Sequence, residues 1–166
     1  MDKINRIIKH HVWREALSQI EKLEETRIFC KHNLEHFLSV ARIAQLENLE
    51  KNLGFSKELI YSTALLHDIG RGLQYTEGIP HDEASVMIAE KILDDCGFDD
   101  EEKHEIIDAI LSHRIGGSLE TEAVSEMMNL KELIYRADKL SRNCFACAAE
   151  TECNWQEEKK NKNLKK

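Results

Sequence analysis

The chain has a single proline in 166 residues and no run in which apolar and polar side chains alternate, so a many-stranded β fold is excluded early. It also lacks the ~20 consecutive apolar residues of a membrane span, and "MDKINRIIKHHVWREALSQI" has neither an apolar signal core nor a small-residue cleavage site. A cytoplasmic protein is expected. An excess of positive charge is missing as well: 23 Lys+Arg stand against 31 Asp+Glu, a net charge of −8 that argues against general binding to nucleic acid or anionic membranes. Five cysteines, an odd number crowded toward one end, do not form a secreted disulfide framework.

What is there is helical periodicity. With 42% apolar residues, the chain is long enough to bury a core as one domain spanning residues 1–166. Ile4, Ile7, Ile8, Val12, Leu17, Ile20 and Leu23 predict one amphipathic helix over about 3–25, and Leu34, Phe37, Leu38, Ala41, Ile43, Ala44 and Leu46 a second over about 32–53, ended by Gly54. Ser56 caps a third that stops near Gly70, and "GRGLQYTEGIP" reads as a loop. Pro80 opens a fourth over about 81–96, with Gly97 at its end. Asp99 and Glu102 form a capping box for a fifth over about 100–113. After the break at Gly116-Gly117, Asn129 caps a last long helix with Leu133, Ile134, Ala137 and Leu140, and "KKNKNLKK" reads as a frayed tail.

On this map His36, the adjacent His67-Asp68, His81 and His113 fall at helix ends, and Asp138 lies among the apolar residues of the last helix. Helix ends of a bundle can converge on one point. A carboxylate at Asp138 is costly to bury unless it pairs with Arg136, Lys139 or Arg142, or binds a metal. His32, one turn before His36, shares its face.

The ordered set H…HD…H…H…D, with "HDIG" intact at 67–70 and the segments "HFLSVARIA", "HDEASVMIA", "ILSHR" and "YRADKLSR" around it, resembles the HD superfamily of metal-dependent phosphohydrolases over about residues 32–142. The resemblance implies an all-α helical bundle. It further implies that His36, His67, Asp68 and Asp138 hold one metal, that His81 and His113 hold a second as in the two-metal branches, and that Asp68 bridges the two. Arg71 stands where many HDIG sequences carry lysine and keeps the charge.

Two divalent ions ~3.5–4 Å apart would acidify a shared water and clamp a phosphoryl group. Nitrogen and oxygen ligands favour iron or manganese, with zinc also compatible. Arg71, Arg114, Lys139 and Arg142 are candidate phosphate clamps or, alternatively, partners of nearby acids. The expected partner is a small phosphorylated metabolite, most plausibly a nucleotide or dinucleotide polyphosphate by likeness to the branch that splits diadenosine tetraphosphate; a homodimer is compatible with the sequence. The same six ligands suit a mixed-valent di-iron oxygenase, and a ligand-binding HD module is the non-enzymatic rival.

The cysteines stand apart. "CFACAAETEC" spaces Cys144, Cys147 and Cys153 as C-x2-C-x5-C, and Cys30 lies six residues before His36. With Cys144 and Cys147 on an extension of the last helix, the four could bind zinc or an iron–sulfur cluster, or simply be small apolar residues.

Overall fold

In a computed structural model the described residues, 1–112 and 128–164, form eight α-helices and no strand: α1 Asp2–Lys9, α2 His11–Leu23, α3 Leu34–Lys51, α4 Lys57–Leu66, α5 Arg71–Glu77, α6 His81–Cys96, α7 Asp100–Ser112 and α8 Leu130–Leu140. Helix α4, apolar on nearly all sides and buried from Leu59 to Leu66 save for the half-buried Tyr61, is the axis of the bundle. Helices α3, α7 and α1 pack on it, α8 lies against α3 and α7, and α5 fits between α2 and α6. Phe37, Val40, Ile60, Leu65, Leu66, Ile69, Ile92, Leu93, Ile106, Ile110, Leu133 and Ile134 are sealed in the shared core.

The caps follow the local chemistry. The side chains of Asn33, Ser56 and Asn129 accept from the backbone N–H three residues on, and Asn129 with Glu132 makes a reciprocal capping box. Asp99 and Glu102 do the same before α7, at 2.9 and 3.1 Å. Gly97 ends α6 in the left-handed conformation at φ 80°.

Several expectations are corrected. The first predicted helix is two, broken at His10, whose backbone is extended. At 3.6 residues per turn, Trp13, Leu17 and Ile20 would lie on average roughly 140° around a straight helix from Ile4 and Ile7. The break turns both faces to one core, where Ile4, Ile7, Trp13, Leu17 and Ile20 are all buried. Asn52, at φ 53°, takes the left-handed cap of α3 in place of Gly54, and Leu34 and Leu46 are exposed. The segment read as a loop contains α5. Two of its glycines serve close packing: a Cβ on Gly70 would come within 2.2 Å of the Ser85 backbone nitrogen, and one on Gly72 within 2.7 Å of Gln19 Oε1. Finally, α8 stops at Leu140, so Cys144 and Cys147 lie in irregular chain, and Lys160 and Asn161 of the supposed frayed tail are buried.

Candidate metal centre

His67 ends α4, and the Nδ1–H of its ring donates to the Ala64 carbonyl at 2.7 Å. A carbonyl only accepts, so the proton is on Nδ1 and Nε2 keeps a lone pair. His36, three residues into α3, is oriented in the same sense by α8. The Ser141 hydroxyl donates to the Asp138 carbonyl at 2.7 Å and faces His36 Nδ1 at 3.4 Å, leaving Nε2 turned inward. His36 Nε2 is buried and has no hydrogen-bond partner among the described residues; it faces Asp138 Oδ1 at 3.7 Å and Asp68 Oδ2 at 4.0 Å. Burial, reinforced by the neighbouring His67, pushes the His36 imidazole down to about 4, so it is neutral and a competent ligand at ordinary pH.

Donor atoms of His36, His67, Asp68 and Asp138 all lie within 4.8 Å of one another. A lone pair directed at carboxylate oxygens with no hydrogen between them calls for a cation. The donor set, two neutral imidazoles and two carboxylates held by α3, α8 and the turn after α4, fits a divalent transition-metal ion.

Asp68 has two environments. Its Oδ2 faces His67 at 3.4 Å, His36 and His32, whereas its Oδ1 faces His81 Nε2 at 3.3 Å and accepts from Arg71 Nε at 3.0 Å. His81, the first residue of α6, is buried. His113 and Arg114 lie outside the described residues.

The sequence-predicted cations are beside the carboxylates. Arg71, the first residue of α5 rather than part of a loop, spans both Asp68 oxygens and donates to Gln74. Lys139 Nζ donates to Asp138 Oδ2 at 2.6 Å, and Arg142 reaches the same oxygen at 3.4 Å. Burial alone would raise the Asp138 carboxyl, but Lys139 and Arg142 outweigh it and hold the group well below the usual carboxylate range.

Sequence reasoning missed Glu24 and Tyr75. Glu24, buried just past the end of α2, accepts from the backbone N–H and from Nδ1 of His32, both at 2.6 Å, and from the Tyr75 hydroxyl at 2.5 Å. That grip turns His32 Nε2 toward Asp68 Oδ2, 3.6 Å away. Burial works to raise the Glu24 carboxyl, yet the bonds from His32 and Tyr75 lower it to about 2; burial and the Glu24 contact push the Tyr75 hydroxyl up to about 12. In sequence Glu24 is one acid among "EKLEETR", and nothing there marks it.

A helical bundle whose helix ends converge on paired histidines and aspartates defines a class of metal-binding α proteins. The HD-domain family model matches residues 33–143, and the chain belongs to that family. It is 50% identical over 161 residues, 97% of each chain, to an uncharacterized protein of Clostridium beijerinckii. Its fold is similar to that of a predicted HD superfamily hydrolase from an uncultured Thermotogales bacterium, with a TM-score of 0.63, 22% identity, and coverage of 90% of this chain and 79% of the other. Among the described residues no helix is long and apolar enough to cross a membrane.

Proposed function

We propose that the protein is a metal-dependent phosphohydrolase with a two-metal centre, acting on a small phosphorylated metabolite, a nucleotide or dinucleotide polyphosphate. The observation that carries this reading is the division of the Asp68 carboxylate, Oδ2 toward His36 and His67 and Oδ1 toward His81. A carboxylate so placed suits the bridge between two ions. His36, His67, Asp68 and Asp138 would hold the first, and His81 with His113 would complete the second. Iron or manganese suits the set best.

Bound there, such ions supply an acidified water and positive charge against phosphoryl oxygens. The chain's own residues do the rest. The Ala64 carbonyl and Ser141 hydroxyl fix the tautomers of His67 and His36, so both present a lone pair without reorganisation. Arg71 and Lys139 bring charge to the two carboxylates from outside the donor cluster, where each is placed to turn to a phosphoryl oxygen once the carboxylates are engaged. Glu24 holds His32 beside Asp68, positioned to pass a proton.

The test is a substrate panel of phosphomonoesters, nucleoside polyphosphates and dinucleoside polyphosphates with the manganese- and iron-loaded protein. Metal-dependent release of phosphate or nucleotide, absent in Asp68→Ala, is expected. Oxygen uptake without phosphate release would make the centre an oxygenase, and no turnover of any phosphoester would make the protein a binding module.

A further inference from the structure

Beyond α8 the chain runs from Ser141 to Leu164 as irregular structure with two single 3-10 turns, Cys144–Ala146 and Glu157–Lys159. Its two ends are tied together: the Asn161 side-chain amide donates to the carbonyls of Lys139 at 2.7 Å and Arg142 at 2.9 Å. What lies between has almost no core of its own. Among residues 143–160 the one buried apolar side chain is Ala149, while Phe145 and Trp155 are 47% and 37% exposed. An irregular loop of this length is uncommon in a compact protein, and one without a core needs another staple.

The cysteines are placed to be that staple. Backbone bonds from Cys147 to Cys144, from Glu150 to Cys147 and from Cys153 to Glu150, at 3.2, 3.3 and 3.3 Å, fold the C-x2-C-x5-C segment into successive tight turns that each begin or end at a cysteine. Cys30 comes from the irregular connection between α2 and α3, where Arg27 Nε grips its carbonyl at 2.9 Å. Although Cys30 is an exposed residue, its thiol is partly desolvated and lies within electrostatic reach of Cys144, Cys147 and the Arg142 guanidinium. Trp155, two residues after Cys153, returns to that guanidinium and stacks on it, 3.6 Å from ring centroid to carbon. Cys30, Cys144 and Cys147 thus gather beside Arg142, with Cys153 two residues from the tryptophan that stacks on it; all four are free thiols, and the fifth cysteine, Cys96, is buried in α6.

We propose that Cys30, Cys144, Cys147 and Cys153 form a four-thiolate site for a resident metal centre, an iron–sulfur cluster or a zinc ion, separate from the His/Asp centre. A tetrahedral zinc with Zn–S bonds near 2.3 Å draws its sulfurs to about 3.8 Å from one another. An iron–sulfur cluster takes the same number of thiolates, four, as a structural zinc. Arg142 offsets the negative charge of either centre on one side and reaches Asp138 on the other. The centre would therefore clamp the end of α8, with Asp138, to the segment entering α3, with His36.

The test uses the full chain purified without oxygen. Iron, zinc and acid-labile sulfide are counted per chain, and each cysteine's alkylation is mapped by mass spectrometry before and after the metal is stripped. Sulfide with iron and a visible charge-transfer band identifies a cluster; zinc without sulfide identifies the ion. In either case Cys30, Cys144, Cys147 and Cys153 are protected until stripping, Cys147→Ser loses this metal, and Asp68→Ala keeps it. Native protein in which these four thiols alkylate as fast before stripping as after, with all metal lost in Asp68→Ala, overturns the proposal. That comparison is made on the native fold and stands even if Cys147→Ser fails to fold.

Discussion

His81 and Asp68 meet across 3.3 Å, Nε2 to Oδ1, on the carboxylate oxygen other than the one that faces His36 and His67. If that oxygen serves a second ion, His81→Ala loses one of two metals and keeps the other, because the His36/His67/Asp68/Asp138 set remains. Counting the metal of the His/Asp centre apart from any held by the cysteines, in wild type and variant, checks this; one such ion per chain in both would place the protein among single-metal HD domains.

Asp68→Ala removes the group common to both sides of the site. Loss of bound metal from the His/Asp centre and of turnover is expected, with the helical circular dichroism largely kept, since the core residues around α4 are untouched. Retention of two ions and full rate by this variant would refute the bridging role.

Arg71→Ala tests whether the guanidinium is more than a counter-ion to Asp68. With a substrate identified, unchanged metal content and a fall in kcat/KM of roughly 10²–10³ are expected, the usual consequence of losing one transition-state charge contact. Arg71→Lys recovers part of the rate because it keeps the charge without the fork. A wild-type rate in Arg71→Ala assigns the residue to Asp68 alone.

Glu24 makes stability depend on acid. Its carboxyl sits at about 2 in the fold against 4.5 ordinarily, so between those values the unfolded chain binds the extra proton. The stabilisation, on the order of 3 kcal/mol, is whole above about pH 4.5 and drains away as pH falls toward 2. Glu24→Gln should be less stable than wild type at pH 7, and denaturant titrations should show a shallower loss of stability across that window. An unchanged slope would mean that Glu24 is not the titrating group.

The two glycines of α5's entry should differ. Gly70→Ala sets a methyl against the backbone of Ala84 and Ser85, which cannot yield, and should cost more than ~3 kcal/mol or abolish folding. Gly72→Ala meets the flexible end of Gln19 and should cost less. Thermal denaturation of the two variants gives the order, and a milder effect at Gly70 would contradict the packing described for α5 and α6.

Periodicity and caps were enough to place α4, α6, α7 and α8, because their signals are local: an apolar stripe, a side chain three residues from the N–H it binds, a glycine where φ must be positive. The residues that cluster, His36, His67, Asp68 and Asp138, were legible for another reason, since the chemistry of a metal site limits which side chains can serve and the HD pattern orders them along the chain. Which oxygen of Asp68 faces which histidine, the burial of Glu24 behind His32, and the use of Gly70 and Gly72 for close contact rather than for a loop were decided by tertiary structure. So was the end of α8 at Leu140, which leaves Cys144 and Cys147 in non-helical chain rather than on an extension of that helix. Each depends on what another helix places opposite a residue, and the spacing of residues along one strand of sequence carries no record of that.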